Sequence, residues 1–161
     1  MTPLERTAAT QTTAPVAIVP PGQGLALTDF DVQVIVKASA ESTLGAFTVL
    51  ECTLAPGKSG PPLHRHLLAC ETYQVLEGEL TLRMGKRTVI AGPGSLAFVP
   101  AGVAHAFSNQ SDGTVRFLAI IAPGGYESYL QERAKLQAER GVPLLADVAQ
   151  ELAERYDIEM A

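Results

Sequence analysis

His64 and His66 flank Arg65, Glu71 follows five residues later, and His105 lies just past Pro100-Ala101-Gly102; the chain has three histidines in all. In an extended strand, residues two apart face the same side, so the imidazoles of His64 and His66 would spring from Cα atoms roughly 6.5 Å apart, within reach of one cation. Imidazole nitrogens with a single carboxylate suit Mn, Fe, Co, Ni, Cu or Zn, whereas Ca and Mg call for a cage of oxygens. The alternative makes His64 and His66 solvent-facing strand residues and His105 a core histidine satisfied by a backbone carbonyl. The four residues together with the glycine and proline punctuation around them favour a divalent transition-metal site.

The elements that must position these side chains read as short strands. β-rich runs cover 32–36, 47–54, 72–76, 80–84, 88–91, 96–99, 104–107 and 115–121, separated by turn chemistry such as Pro56-Gly57, Gly78, Gly85, Gly92-Pro93-Gly94 and Asp112-Gly113. Their spacing predicts an all-β sandwich or barrel. Leu80, Leu82 and Met84 alternate with Thr81 and Arg83, so Arg83 should face away from the core. After Pro123-Gly124-Gly125 the period becomes helical through Tyr126, Tyr129, Leu130 and Ala134, with Gly141 placed to end the helix. Pro143 should open a second helix whose stripe is Leu144, Val148, Leu152 and Tyr156, docked on its own domain. Three segments result: a flexible N-terminal arm over 1–15, a β-barrel over 16–122 and a C-terminal helical extension over 123–161.

At 161 residues the chain can bury roughly 70% of the surface its unfolded form exposes, without a disulfide. Hydrophobic content is 47% and aromatic content 6%, so the core should be aliphatic. A net charge of -5 offers no basic field for nucleic acid, and no run approaches the length of a membrane span. The first twenty positions lack the apolar stretch of a signal peptide, so a cytoplasmic location is expected. Cys52 and Cys70 are expected to be reduced, with Cys70 as packing because it neighbours Glu71 on the opposite strand face.

The region from Gly45 to Asn109 resembles the cupin family. Gly94, Pro100-Ala101-Gly102, His105 and Asn109 match the spacing of that family's second motif throughout. His64, His66, Glu71 and Gly78 match its first, except that Lys58 stands where the family has its leading glycine. Gly60-Pro61-Pro62-Leu63-His64 and Pro123-Gly124-Gly125-Tyr126-Glu127 are similar to the small single-domain quercetin-dioxygenase-like members. The resemblance implies a double-stranded β-helix (jelly-roll barrel) with C-terminal helices, and it implies His64, His66, Glu71 and His105 as metal ligands. Paired small cupins, together with the liability of exposed edge strands, imply a homodimer.

Three imidazoles and one carboxylate around a divalent ion (Fe, Mn, Ni, Co, Cu or Zn) leave a net charge of about +1, which favours an anionic oxygen ligand. Dioxygenase action on an enolisable or aromatic small molecule follows as the leading expectation, with Glu71 as general base and Tyr73 placing a phenol on the same strand face. The alternatives are a non-redox isomerase, cyclase or decarboxylase, and a small-molecule-binding protein without catalysis. Phe107 and Val75 should be wall, and Asn109 is placed to bond a turn rather than substrate.

Overall fold

The computed structural model describes residues 16–141 and 143–161; the arm expected over 1–15 lies outside the described residues. Ten strands come first: β1 (Leu25–Asp29), β2 (Val32–Ala38), β3 (Thr48–Leu54), β4 (His64–His66), β5 (Cys70–Glu77), β6 (Leu80–Met84), β7 (Arg87–Ala91), β8 (Leu96–Val99), β9 (His105–Ser108) and β10 (Val115–Ala122). Helices α1 (Tyr126–Arg140) and α2 (Ala146–Arg155) and a last strand, β11 (Ile158–Met160), complete the order. All pairings are antiparallel, in a six-stranded sheet β1-β2-β3-β10-β5-β8 and a five-stranded sheet β11-β4-β9-β6-β7. The architecture is a double-stranded β-helix with C-terminal helices.

Period-two burial explains why these segments are strands. Along β10, Val115, Phe117, Ala119 and Ile121 are buried while their neighbours are half-buried, and β3 alternates in the same way. The two sheets close on each other over Val34, Leu50, Leu54 and Phe117 from one side and Leu80, Leu82 and Phe107 from the other. Arg83 is exposed, as its parity predicts. Gly78 turns the chain between β5 and β6 at φ 74°, where a Cβ would collide with the Thr114 carbonyl oxygen, so both conformation and space require glycine. Cys52 and Cys70 are free thiols.

The expected second helix is corrected at its start. Pro143 and Leu144 do not form its first turn; Leu145 is the N-cap with extended backbone (φ -61°, ψ 150°), and Ala149 N–H makes a helical bond to its carbonyl at 2.9 Å. Leu144 instead packs half-buried against the core as part of an extended lead-in. The stripe also ends early, because Tyr156 is the C-cap and the chain then turns at Asp157 (φ 66°) into β11. Gly141 ends α1 as expected, in the left-handed conformation with its N–H bonded to Gln137 O. Helix α1 is fixed at its start by buried Glu127, which accepts hydrogen bonds from Ala40 N–H at 2.7 Å and from the Thr48 hydroxyl.

Asn109 bonds a turn, as its strand parity suggests. Its amide donates to Leu54 O at 3.0 Å and Gly113 O at 2.7 Å, and its Oδ1 accepts from Ser111 N–H at 3.0 Å, all at a residue only 1% exposed. Asn109→Ala removes the side-chain partners of the Leu54 carbonyl and the Ser111 amide and leaves Gly113 O with the Ser111 hydroxyl alone, so it should lower unfolding free energy by about 2 kcal/mol. Urea denaturation measures the loss, and a midpoint equal to wild type would remove this role.

Candidate metal centre

Strand β4 is three residues long and lies between β9 and β11. His64 is directly opposite His105 in the β4–β9 register, while Ile158, Glu159 and Met160 of β11 pair with His66, Arg65 and His64. The pleat turns His64 and His66 inward, where both are 3% exposed, and sends Arg65 outward to Glu159 at 2.5 Å. Glu71 comes from the other sheet, on β5 opposite Ile121 and Val99. Three imidazoles from one sheet therefore meet one carboxylate from the other across the core. Donor atoms of His64, His66, Glu71 and His105 all lie within 4.8 Å of one another, and all four residues are buried.

Hydrogen bonds aim the rings. His64 Nδ1 lies 2.8 Å from Pro62 O and His105 Nδ1 lies 2.9 Å from Val103 O. A carbonyl only accepts, so each Nδ1 carries the hydrogen and each Nε2 is left for the centre. His105 Nε2 sits 3.0 Å from Glu71 Oε2, and without a metal that contact needs a second proton on the ring. His66 Nε2 lies 3.3 Å from the same oxygen but out of line for a hydrogen bond, so it is a buried nitrogen without a partner. A divalent cation among these atoms would satisfy the orphaned nitrogen and replace the proton on His105, so the donor set fits a transition metal.

The surroundings tune each group. Burial, then the neighbouring His105, lowers the His64 pKa to about 4, which keeps that ring neutral and ready to donate its lone pair. Burial opposes charge on Glu71, but the hydrogen bond from His105 and the contact with His66 win and hold its carboxyl far below the usual range. For His105, burial works against protonation, and the Glu71 carboxylate overcomes it to raise the pKa. Tyr73 is fully buried, and its hydroxyl has no hydrogen-bond partner among the described residues. Burial first, and the Glu71 charge second, push that phenol well above its ordinary pKa, so it remains a neutral donor.

Beside His64 and Glu71 lies a small apolar cavity of about 20 Å³, room for about one water, walled by Val34, Leu50, Tyr73, Phe107, Tyr126 and Leu130 among others. Strand parity correctly puts Tyr73 and Phe107 here, whereas Val75, though buried, belongs to the core beyond the cavity. Cys70 is on the other face of β5 with its thiol toward Ala122 O. Gly60 admits the Phe107 ring, since a Cβ would run into it, and Gly60 N–H bonds to Phe107 O at 3.0 Å. Tyr126, which the sequence offers both in a helical stripe and in the Pro123-to-Glu127 segment, has no site role in the sequence reading, yet its ring meets His66 edge-on at 5.4 Å and closes one side of the cavity.

A family model described as Cupin domain matches residues 50–121. Quercetin 2,3-dioxygenase of Bacillus subtilis (strain 168) is 27% identical over 98 residues, which are 60% of this chain and 28% of that enzyme. The chain thus spans little more than a quarter of that curated relative. The crystal structure of a predicted oxalate decarboxylase from Thermotoga maritima superposes with TM-score 0.62 at 23% identity, covering 66% of this chain and 99% of that one. A sugar phosphate isomerase from Silicibacter pomeroyi gives TM-score 0.52 at 27% identity, covering 57% of this chain and 59% of that one.

Two outcomes test the donor set. His66→Ala should abolish stoichiometric metal binding while leaving the far-ultraviolet dichroism unchanged, and full occupancy by elemental analysis would remove His66 from the set. Because the Glu71 carboxylate holds a proton on His105 above the ordinary imidazole range, loading with zinc should release protons, and the release should diminish as the pH is raised through the pKa of that ring. Indicator-dye titration reads the decline, and equal release across that range would contradict it.

Proposed function

The chain belongs to the cupin superfamily, and we propose that it is a metal-dependent dioxygenase acting on an enolisable or aromatic small molecule, akin to quercetin dioxygenases in its chemistry. In this reading His64, His66, Glu71 and His105 hold one divalent transition metal, and substrate approaches it from the adjoining apolar side. The observation that supports it most is a buried donor set of mixed type, three imidazoles and one carboxylate, set against an apolar wall. When bound, such a metal supplies a Lewis-acid centre that favours the deprotonated form of an enol or phenol and the electron exchange that dioxygen chemistry needs.

The remaining work falls to side chains. Glu71 carries the only carboxylate of the donor set, and the imidazole protons that depress its pKa are the ones a bound cation would displace, so it is the group assigned to receive the hydroxyl proton of the substrate on a carboxylate oxygen. Tyr73 keeps its own proton and offers its unpartnered O–H as a donor to the oxygen that becomes anionic. Val34, Leu50, Phe107 and Leu130 exclude water, which strengthens both interactions.

A non-redox isomerase, cyclase or decarboxylase is the second reading, supported by the likeness to a sugar phosphate isomerase. Against a phosphorylated substrate stands the commitment of Arg133, the one buried Lys or Arg among the described residues, to Asp29. Product formation under nitrogen would select this class, and ligand-induced stabilisation without turnover would select a binding protein. The proposal also places the chain in the cytoplasm as a homodimer; light scattering at the mass of a single chain would remove the dimer.

Protein loaded with iron, manganese, nickel, cobalt or copper should consume dioxygen in an oxygen electrode with flavonols, catechols or diketones. Silence across all of these substrates ends the dioxygenase reading. Glu71→Gln should retain part of the metal and lose about 100-fold or more in turnover. Wild-type activity in that variant would remove Glu71 as the base.

A further inference from the structure

Phe117 to Ala122 is an unbroken apolar run in β10, and the barrel uses only half of it. Phe117, Ala119 and Ile121 are buried in the core, whereas Leu118 and Ile120 face outward and lie outside it. A short continuous apolar run is the mark of a strand covered on both faces, while an antiparallel sheet with one wet face alternates apolar with polar.

Register extends this outward surface across the six-stranded sheet. Phe98 of β8 stands opposite Thr72, which stands opposite Ile120, which stands opposite Val49 of β3. One row along, Leu96, Gln74, Leu118, Glu51 and Ile35 run from β8 to β2 in the same way. Leu96 is 61% exposed, Phe98 56% and Leu76 42%, so the rows are barest toward the β8 edge.

The charges on this face are settled within the chain. Glu51 meets Lys37 at 3.4 Å and Arg116 at 3.1 Å, and Arg116 also meets Glu77 at 3.1 Å. Two cations thus balance two carboxylates, and the face is neutral on a chain whose net charge is -5. A second copy is repelled over most of the surface and meets no such opposition here. Within the chain, residues 1–15 hold only Met1 and Leu4 as large apolar side chains, too few to cover the rows, and Val16 and Ile18 beyond them are themselves exposed. At about 4.8 Å per strand spacing and about 3.4 Å per residue, six strands present a face roughly 24 Å across. With side-chain relief that approaches the roughly 800 Å² each partner commits to a stable dimer.

We propose that two copies of the chain pack through this face, sheet on sheet about a two-fold axis, each supplying the second cover for the other's β10. Identical faces suit such a self-complementary contact, and stacked antiparallel sheets pack in this way at about 10 Å. The proposal gives the homodimer of the reading above its surface and is independent of the reaction catalysed.

Sedimentation equilibrium over a dilution series of the purified chain tests it. Wild type should sediment at the mass of two chains. Phe98→Lys and, separately, Leu96→Lys should each raise the dimer dissociation constant about 100-fold or more, because a two-fold axis enters every substitution twice. Both side chains are exposed in the single chain, so far-ultraviolet dichroism should not change. Ile90→Lys, at a residue 67% exposed on the edge strand of the other sheet, should leave the constant within about twofold. Wild type at the mass of one chain overturns the proposal together with the dimer, whatever else then covers the face. A dimer that survives both lysine variants, or that Ile90→Lys weakens as much, overturns this face and leaves the dimer standing. A chain that takes up no dioxygen yet pairs as expected loses the dioxygenase reading alone.

Discussion

Holding a carboxylate and three imidazoles out of water, with donor atoms inside 4.8 Å of one another, is the constraint around which this molecule is arranged. Desolvating such groups is costly, and each must recover its lost hydration from protein or from a bound ion. Carbonyls of Pro62 and Val103 satisfy one nitrogen on each of two rings, and His105 supports the carboxylate. What is left over points at a common centre. A positive ion there would complete an otherwise deficient arrangement.

The two sheets have unequal tasks in meeting that constraint. The five-stranded sheet supplies the imidazoles through β4 and β9, the six-stranded sheet supplies Glu71, and the aliphatic interior between them sets how near they come. Helix α1 then seals the open side with Tyr126 and Leu130. Its orientation is set by Glu127 gripping the loop before β3 and by Arg133 pairing with Asp29. One helix thus walls the cavity and helps fix its boundary, which couples the surroundings of the donor set to backbone packing.

Much of this was legible in the residues. His64 and His66 announce a shared face by their spacing, the glycine and proline turns mark eight of the strands, and Gly141 marks the end of α1. β1 was not legible because its burial is confined to Asp29 and half-buried Leu27, so no apolar alternation shows. β11 has three residues and exists only by pairing with β4, which no local pattern encodes. Asp29 and Arg133 stand 104 positions apart and carry no motif, so their meeting is a property of topology alone. The start of α2 was misplaced because proline's preference for a first turn yields here to the burial of Leu144.

The pairing of β11 with β4 bears on the order in which the molecule matures. Arg65 reaches Glu159 across 94 positions, and Asp157 caps the backbone of Leu68 and Ala69 across a similar span. Loops of that length close late, after local hairpins such as β6–β7 have formed. Until then the histidine-bearing strand is an unfinished edge, free to wander in register. An ion held by those imidazoles would accordingly be captured at the close of folding rather than at its nucleus.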